Sequence, residues 1–141
     1  MCIRDSRWTA ADPSFTPPIL HVFALHRSLE HIARETMPCR TDRHRRWSER
    51  VSAWAQAGGL RPVPVSSQVR AWTLSAFYYP DGLGDAWLAW LRDERGVELA
   101  PSNDPRLRGR YFRIGHLGDL PDDHLERGLA ILTEALHGVR V

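Results

Sequence analysis

Lysine is absent from this sequence of 141 residues, and all 19 of its Lys or Arg positions are arginine. A genome rich in G and C is sufficient to explain such a bias. The absence still has a chemical consequence, because an internal Schiff base to a carbonyl compound needs the amine of a lysine side chain. The chain therefore has no lysine of its own for covalent catalysis of that kind.

Cysteine is nearly absent as well. Cys2 and Cys39 are too few for a disulfide framework or a metal site, which fits a reducing, cytoplasmic compartment. The sequence also lacks an apolar run approaching the roughly 18 residues that a membrane helix needs. Its net charge of only +2 creates no field that would recruit nucleic acid or an anionic membrane.

The residues that are present suit a globular protein. Hydrophobic residues make up 43% and charged residues 26%, so the length predicts one domain, or one domain with a connecting segment. Residues 1–6 (MCIRDS) match the translation of a transposon-type sequencing adapter, and we interpret them as an assembly artefact. A natural N-terminus is the alternative, although no apolar segment of a signal peptide follows.

Apolar residues at helical spacing predict three long helices and one shorter one. The first covers residues 17–35, with Thr16 as its N-cap and the Pro38 region as its end. The others are predicted at residues 42–57, 84–95 and 121–137, the last with the stripe Leu125, Leu129, Leu132 and Leu136.

Four strands are predicted at residues 60–65, 71–79, 97–100 and 111–114. From residue 60 the order is β-β-α-β-β-α. This order predicts an α+β domain, in which helices cover one face of a mainly antiparallel sheet.

Arg113 is the first candidate functional residue, because it lies between Phe112 and Ile114 in a short predicted strand. Alternation places its side chain on the face opposite those two residues. A planar guanidinium can bind a carboxylate with two hydrogen bonds. An edge-strand arginine that faces only water is the alternative.

Thr16 is the second candidate, since a hydroxyl beside the free N–H groups of a helix start can hold a phosphate. A plain N-cap explains the same residue. A basic run could bind nucleic acid, but a solvated helix face is more typical of such a run, which comprises Arg40, Arg43, His44, Arg45, Arg46 and Arg50. The histidines have no metal-ligand spacing, so no metal site is predicted.

Several of these segments resemble one family. Residues 109–119 (GRYFRIGHLGD) are similar to the (K/R)-x-F-R-I-G-H-M-G signature of alanine–glyoxylate and serine–pyruvate aminotransferases. Residues 15–18 (FTPP) resemble their T-P-P stretch, residues 44–46 (HRR) their R-H-R-R helix start, and residues 79–82 (YPDG) their strand-and-turn segment. Order and spacing agree from about residue 15 to residue 136.

The resemblance implies a class V, fold-type I aminotransferase that uses pyridoxal 5'-phosphate. It implies that Arg113 binds the α-carboxylate of the substrate. It implies that Thr16 contacts the cofactor phosphate of the partner subunit in a homodimer. The substrates would be a small amino acid and a 2-oxo acid of the glyoxylate or pyruvate type, with neither nucleic acid nor a membrane as a partner.

The resemblance also implies a division of the chain. Residues 7–40 would be the tail of the large domain with its connecting helix, and residues 41–141 the C-terminal small domain. The catalytic lysine would lie upstream, so the sequence contains no catalytic residue and would be an inactive fragment by itself.

Two departures leave alternatives open. Residues 101–105 (PSNDP) replace a glycine-rich loop of the family, and Pro13 replaces a tyrosine common in one branch. The ending Gly118-Asp119 is similar to that of 2-aminoethylphosphonate aminotransferases, which is the alternative within the class. A free-standing α+β module that binds a small molecule without catalysis, or a purely structural dimerisation piece, would belong to other functional classes.

Overall fold

The computed structural model describes residues 18–138. The predicted cap and phosphate contact Thr16, and the adapter-like residues 1–6, lie outside this range. The chain divides between Arg40 and Thr41 into two compact units.

The first unit contains helix α1, Ile19–Glu35, which begins after Pro18 close to the predicted start. None of its residues is buried, and Val22, Leu25 and Leu29 remain more than half exposed. The helix ends at Thr36, whose φ of 69° lies in a region that β-branched residues rarely adopt.

Helix α2, Met37–Ala57, starts five residues earlier than the sequence predicted. Pro38 was expected to end the first helix, but it lies in the first turn of the second. A proline is tolerated there, because its missing N–H has no partner within a helix at that position. The break between the helices therefore lies at Thr36 alone.

The second unit contains the sheet. Its strands are β1 (Leu74–Tyr78), β2 (Ala100–Pro101) and β3 (Tyr111–Gly115), in the order β1-β3-β2 with both pairings antiparallel. Helix α3, Asp85–Arg95, connects β1 to β2, and helix α4, Asp122–His137, follows β3. Short 3-10 turns cover Ser67–Val69 and Pro105–Leu107.

Two predicted strands are largely absent, and the strand predicted at residues 71–79 covers only Leu74–Tyr78. Residues 60–65 form only an isolated bridge between Pro62 and Phe77, because Pro62 and Pro64 lack the N–H groups that a continuous ladder needs. Residues 97–100 contribute only Ala100 to a strand, which continues to Pro101 and pairs with β3 over two residues.

One face of the sheet carries the core. Phe77 and Phe112 are directly paired across β1 and β3, and with Ile114 they are at most 5% exposed. Buried residues from all three helices of this unit join the same cluster, including Val51, Leu91 and Leu132. The α+β architecture with helices on one face of an antiparallel sheet is therefore confirmed.

Helices α2 and α4 are joined by their polar atoms as well. The indole Nε1 of Trp47 donates to Asp122 Oδ1 at 2.8 Å, and that of Trp54 donates to Thr133 Oγ1 at 2.8 Å. Buried indoles usually need such acceptors. None of the helices between residues 18 and 138 is both long enough and apolar enough to cross a membrane.

Candidate functional site

Arg113 lies on the outer face of the central strand. Its neighbours Phe112 and Ile114 are buried under the helices, so alternation turns the arginine to the opposite face, as predicted. It is paired with Ala76 of β1 and Ala100 of β2. Both neighbouring residues are small, so the guanidinium has room on this face.

Two neutral acceptors hold the guanidinium of Arg113. Its Nε donates to the carbonyl oxygen of Pro101 at 3.1 Å, and its Nη2 donates to Asn103 Oδ1 at 2.8 Å. Both bonds use the side edge of the guanidinium, which leaves the end formed by Nη1 and Nη2 for another ligand. No carboxylate within residues 18–138 forms an ion pair with Arg113.

The loop that carries these acceptors is itself hydrogen-bonded. The Oγ of Ser102, a residue only 8% exposed, accepts from the N–H of Asp104 at 3.2 Å. Asp104 binds the backbone N–H and the guanidinium of Arg106 at 2.9 and 2.8 Å. The hydrogen bond from Arg106 lowers the pKa of the Asp104 carboxyl. The Asp104 carboxylate forms an ion pair with Arg106 and not with Arg113.

Two histidines anchor the turn after β3, a role that the sequence analysis missed. The Nε2 of His116, which is 1% exposed, lies 2.9 Å from Ser75 Oγ, and burial lowers the pKa of this histidine. His44 Nε2 accepts from the N–H of Gly118 at 3.2 Å. Both segments matched family motifs in the sequence, but His44 and Gly118 are 74 positions apart, and no local pattern indicated that they are in contact.

The basic run does not form a free cationic surface. Arg43 donates to the carbonyl oxygen of Gly118 at 2.8 Å, and Arg50 forms two bonds of 2.7 Å with Glu126. Ion pairs with Glu35, Asp42 and Glu49 engage the remaining arginines, which are Arg40, Arg45 and Arg46. These contacts favour the solvated helix face over a nucleic-acid surface.

A groove of about 880 Å³ lies between α2 and residues 60–77, and it is lined by Ala76, the strand partner of Arg113, but not by Arg113 itself. Volume alone is a poor guide to the chemistry here. Ligand sites commonly form between domains, so the volume of a groove within one unit does not decide where a ligand binds. Within the part of the chain that the structure describes, no cluster of side chains could hold a metal ion.

No protein-family model matches the chain. An uncharacterised aminotransferase of Methanocaldococcus jannaschii is 25% identical over 122 residues, which is 86% of this chain. The L-aspartate–glyoxylate aminotransferase of Paracoccus denitrificans is 32% identical over 117 residues, or 82% of this chain. The chain belongs to the class V aminotransferases.

A solved class V aminotransferase structure agrees with this assignment. The alanine–glyoxylate aminotransferase of a Nostoc species superposes with a TM-score of 0.79 over 86% of this chain, at 27% identity. The chain matches only part of the length of each of these proteins. The chain spans 31% and 29% of the lengths of the two relatives and 32% of the Nostoc aminotransferase.

Proposed function

We propose that this chain works as the C-terminal part of an aminotransferase that uses pyridoxal 5'-phosphate. The reaction moves an amino group between a small amino acid and a 2-oxo acid of the glyoxylate or pyruvate type. One observation carries the proposal: the Arg113 guanidinium is held by Pro101 and Asn103 on an outer sheet face, without a carboxylate partner in the described residues. The names of the relatives support the substrate class.

Arg113 binds the α-carboxylate that every such substrate carries. Its end-on pair of N–H groups matches the two oxygens of a carboxylate. Since β3 is fixed by the core on its other face, the bound carboxylate is fixed too, which limits the positions that Cα of the substrate can take. When bound, the cofactor stores the amino group between the two halves of the reaction and withdraws electrons from Cα.

The cofactor needs residues beyond this chain. The sequence has no lysine, so the covalent attachment point belongs to another part of the polypeptide. We assign residues 7–40 to the tail of the large domain with its connecting helix, and residues 41–141 to the small domain. Thr16 is the residue of this chain proposed to contact the cofactor phosphate, in the partner subunit of a homodimer.

The test of Arg113 uses the complete enzyme of which this chain is proposed to be a part. Arg113→Ala should raise the KM for both the amino acid and the 2-oxo acid by roughly 10- to 100-fold, because hydrogen bonds to charged groups contribute about 1.5–3 kcal/mol. Steady-state kinetics with each substrate varied in turn measures both values.

Arg61→Ala is the matched control, because Arg61 contacts Tyr78 with its guanidinium 3.8 Å from the ring centroid and removing it takes away the same charge. Its KM values should stay within about twofold of the wild type. An unchanged KM in Arg113→Ala would remove the carboxylate role. A stop codon directly upstream of codon 7, in frame, would contradict the larger enzyme itself.

A further inference from the structure

We infer that Asn103 is a positioning residue, which holds the guanidinium of Arg113 side-on and thereby presents its other edge to the substrate carboxylate. The inference rests on the proposed function of Arg113. It adds a residue from the 101–105 loop, the segment in which this chain departs from the glycine-rich pattern of the family.

The geometry supports a positioning role. An arginine side chain has several rotatable bonds, and an unrestrained guanidinium samples many orientations. Here the bonds to Pro101 O at 3.1 Å and Asn103 Oδ1 at 2.8 Å fix the plane of the group as well as its location. With only one of these acceptors, the guanidinium could still rotate about the single hydrogen bond that remained.

The loop is built to keep Asn103 in place. The residue before it, Ser102, is buried and binds the N–H of Asp104, so the backbone on both sides of Asn103 is restrained. Asp104 in turn caps the 3-10 turn Pro105–Leu107 through the N–H of Arg106. Asn103 thus reaches Arg113 from a short, internally bonded loop.

The neutrality of the amide is the decisive chemical property. An amide oxygen accepts a hydrogen bond without cancelling the positive charge of the guanidinium. A carboxylate at the same position would have nearly the same shape, but it would form an ion pair and compete with the substrate.

The kinetic test compares two variants of the complete enzyme. Asn103→Ala should raise the KM for the amino acid and the 2-oxo acid by about 3- to 10-fold, with kcat within about twofold, because the guanidinium loses one restraint. Asn103→Asp should raise both KM values further, by about 10- to 100-fold, because it neutralises Arg113. If Asn103 only supported the loop, the order would be reversed. Asn103→Asp would then raise the KM values less than Asn103→Ala, since aspartate keeps the shape and the hydrogen bond.

A spectroscopic test examines the contact without catalysis or cofactor. In the complete enzyme labelled with ¹⁵N at its asparagine side chains, the amide pair of Asn103 is identified as the pair that Asn103→Ala removes. Arg113→Gln should shift this pair, whereas Arg61→Gln, which removes the same charge next to Tyr78, should leave it in place.

The possible outcomes distinguish the carboxylate role of Arg113 from the positioning role of Asn103. If Arg113→Gln leaves the amide resonances unchanged, the contact is absent and the inference is overturned. If the resonances shift but Arg113→Ala retains the wild-type KM, the proposed carboxylate role of Arg113 fails, and the positioning role of Asn103 fails with it. If Arg113→Ala raises KM and Asn103→Asp does not, Arg113 keeps its role and only the positioning role of Asn103 is lost.

Discussion

The two faces of the central strand β3 are held by different forces. On the inner face, Phe112 and Ile114 are 0% and 5% exposed, and their contacts with the helices are apolar. On the outer face, Arg113 is partly exposed and is held by two hydrogen bonds from one loop. The stabilising contacts are thus concentrated on one side of the strand and the ligand chemistry on the other. Substitutions at the consecutive residues Phe112 and Arg113 should therefore affect stability and substrate binding separately.

The largest effect should come from Phe112→Ala on the inner face. The Phe112 ring packs against Trp87, Tyr79 and Phe77, with centroid distances between 5.4 and 6.1 Å. Truncating a fully buried phenylalanine costs about 3–5 kcal/mol of unfolding free energy. Urea denaturation followed by tryptophan fluorescence measures the loss. A cost below about 1 kcal/mol would mean that the inner face does not carry the stability of this unit.

A pH-dependent effect of intermediate size should come from His116, at the end of the same strand. Burial lowers its folded-state pKa below the usual value of 6.5, so the unfolded chain binds the proton more readily. The contribution of neutral His116 to the free energy of unfolding is then fully present above pH 6.5. It is lost as the pH falls through that value towards the folded-state pKa. For a single proton the slope is at most about 1.4 kcal/mol per pH unit.

Denaturation midpoints measured between pH 5 and 8 test this effect, with His116→Gln as the control. Glutamine can replace the contact between Nε2 and Ser75 but does not titrate in this range. The difference between the two proteins isolates His116 from His44 and the exposed histidines. Identical pH profiles for both proteins would assign the acid sensitivity to another group.

The smallest effect on stability should come from Arg113→Gln on the outer face. The side chain is partly exposed and takes no part in the core, so the change in unfolding free energy should stay within about 0.5 kcal/mol. Differential scanning calorimetry provides the measurement. A loss comparable to that of Phe112→Ala would show that the two faces of β3 do not divide stability from ligand chemistry as described.

Local patterns in the sequence predicted helices α1, α3 and α4 closely, but they placed the start of α2 five residues too late. Helix α4 was expected at residues 121–137 and covers Asp122–His137, because its apolar stripe and its flanking residues are all local signals. The side of the strand on which Arg113 lies also followed from simple alternation. Both are properties of a few consecutive residues.

Contacts between residues far apart in the sequence could not be predicted from local patterns. Residues 60–65 have the composition of a strand, yet their prolines allow only one bridge to β1. The partners of Arg113 lie 10 and 12 residues earlier, in a loop that the sequence presented only as a departure from the family. The bond between His44 and Gly118 likewise depends on how α2 and β3 are brought together, which no local pattern encodes.

The order β1-β3-β2 gives the proposed carboxylate anchor a further property. Within the described residues, β3 is the strand with a neighbour on each side, so its amide groups are protected from both edges. Amides in such a strand exchange with solvent deuterium only when the whole unit opens. The backbone of Arg113 should therefore be among the slowest to exchange. Its strand should stay in place through local openings of the loop, while the guanidinium loses its two acceptors in each such opening.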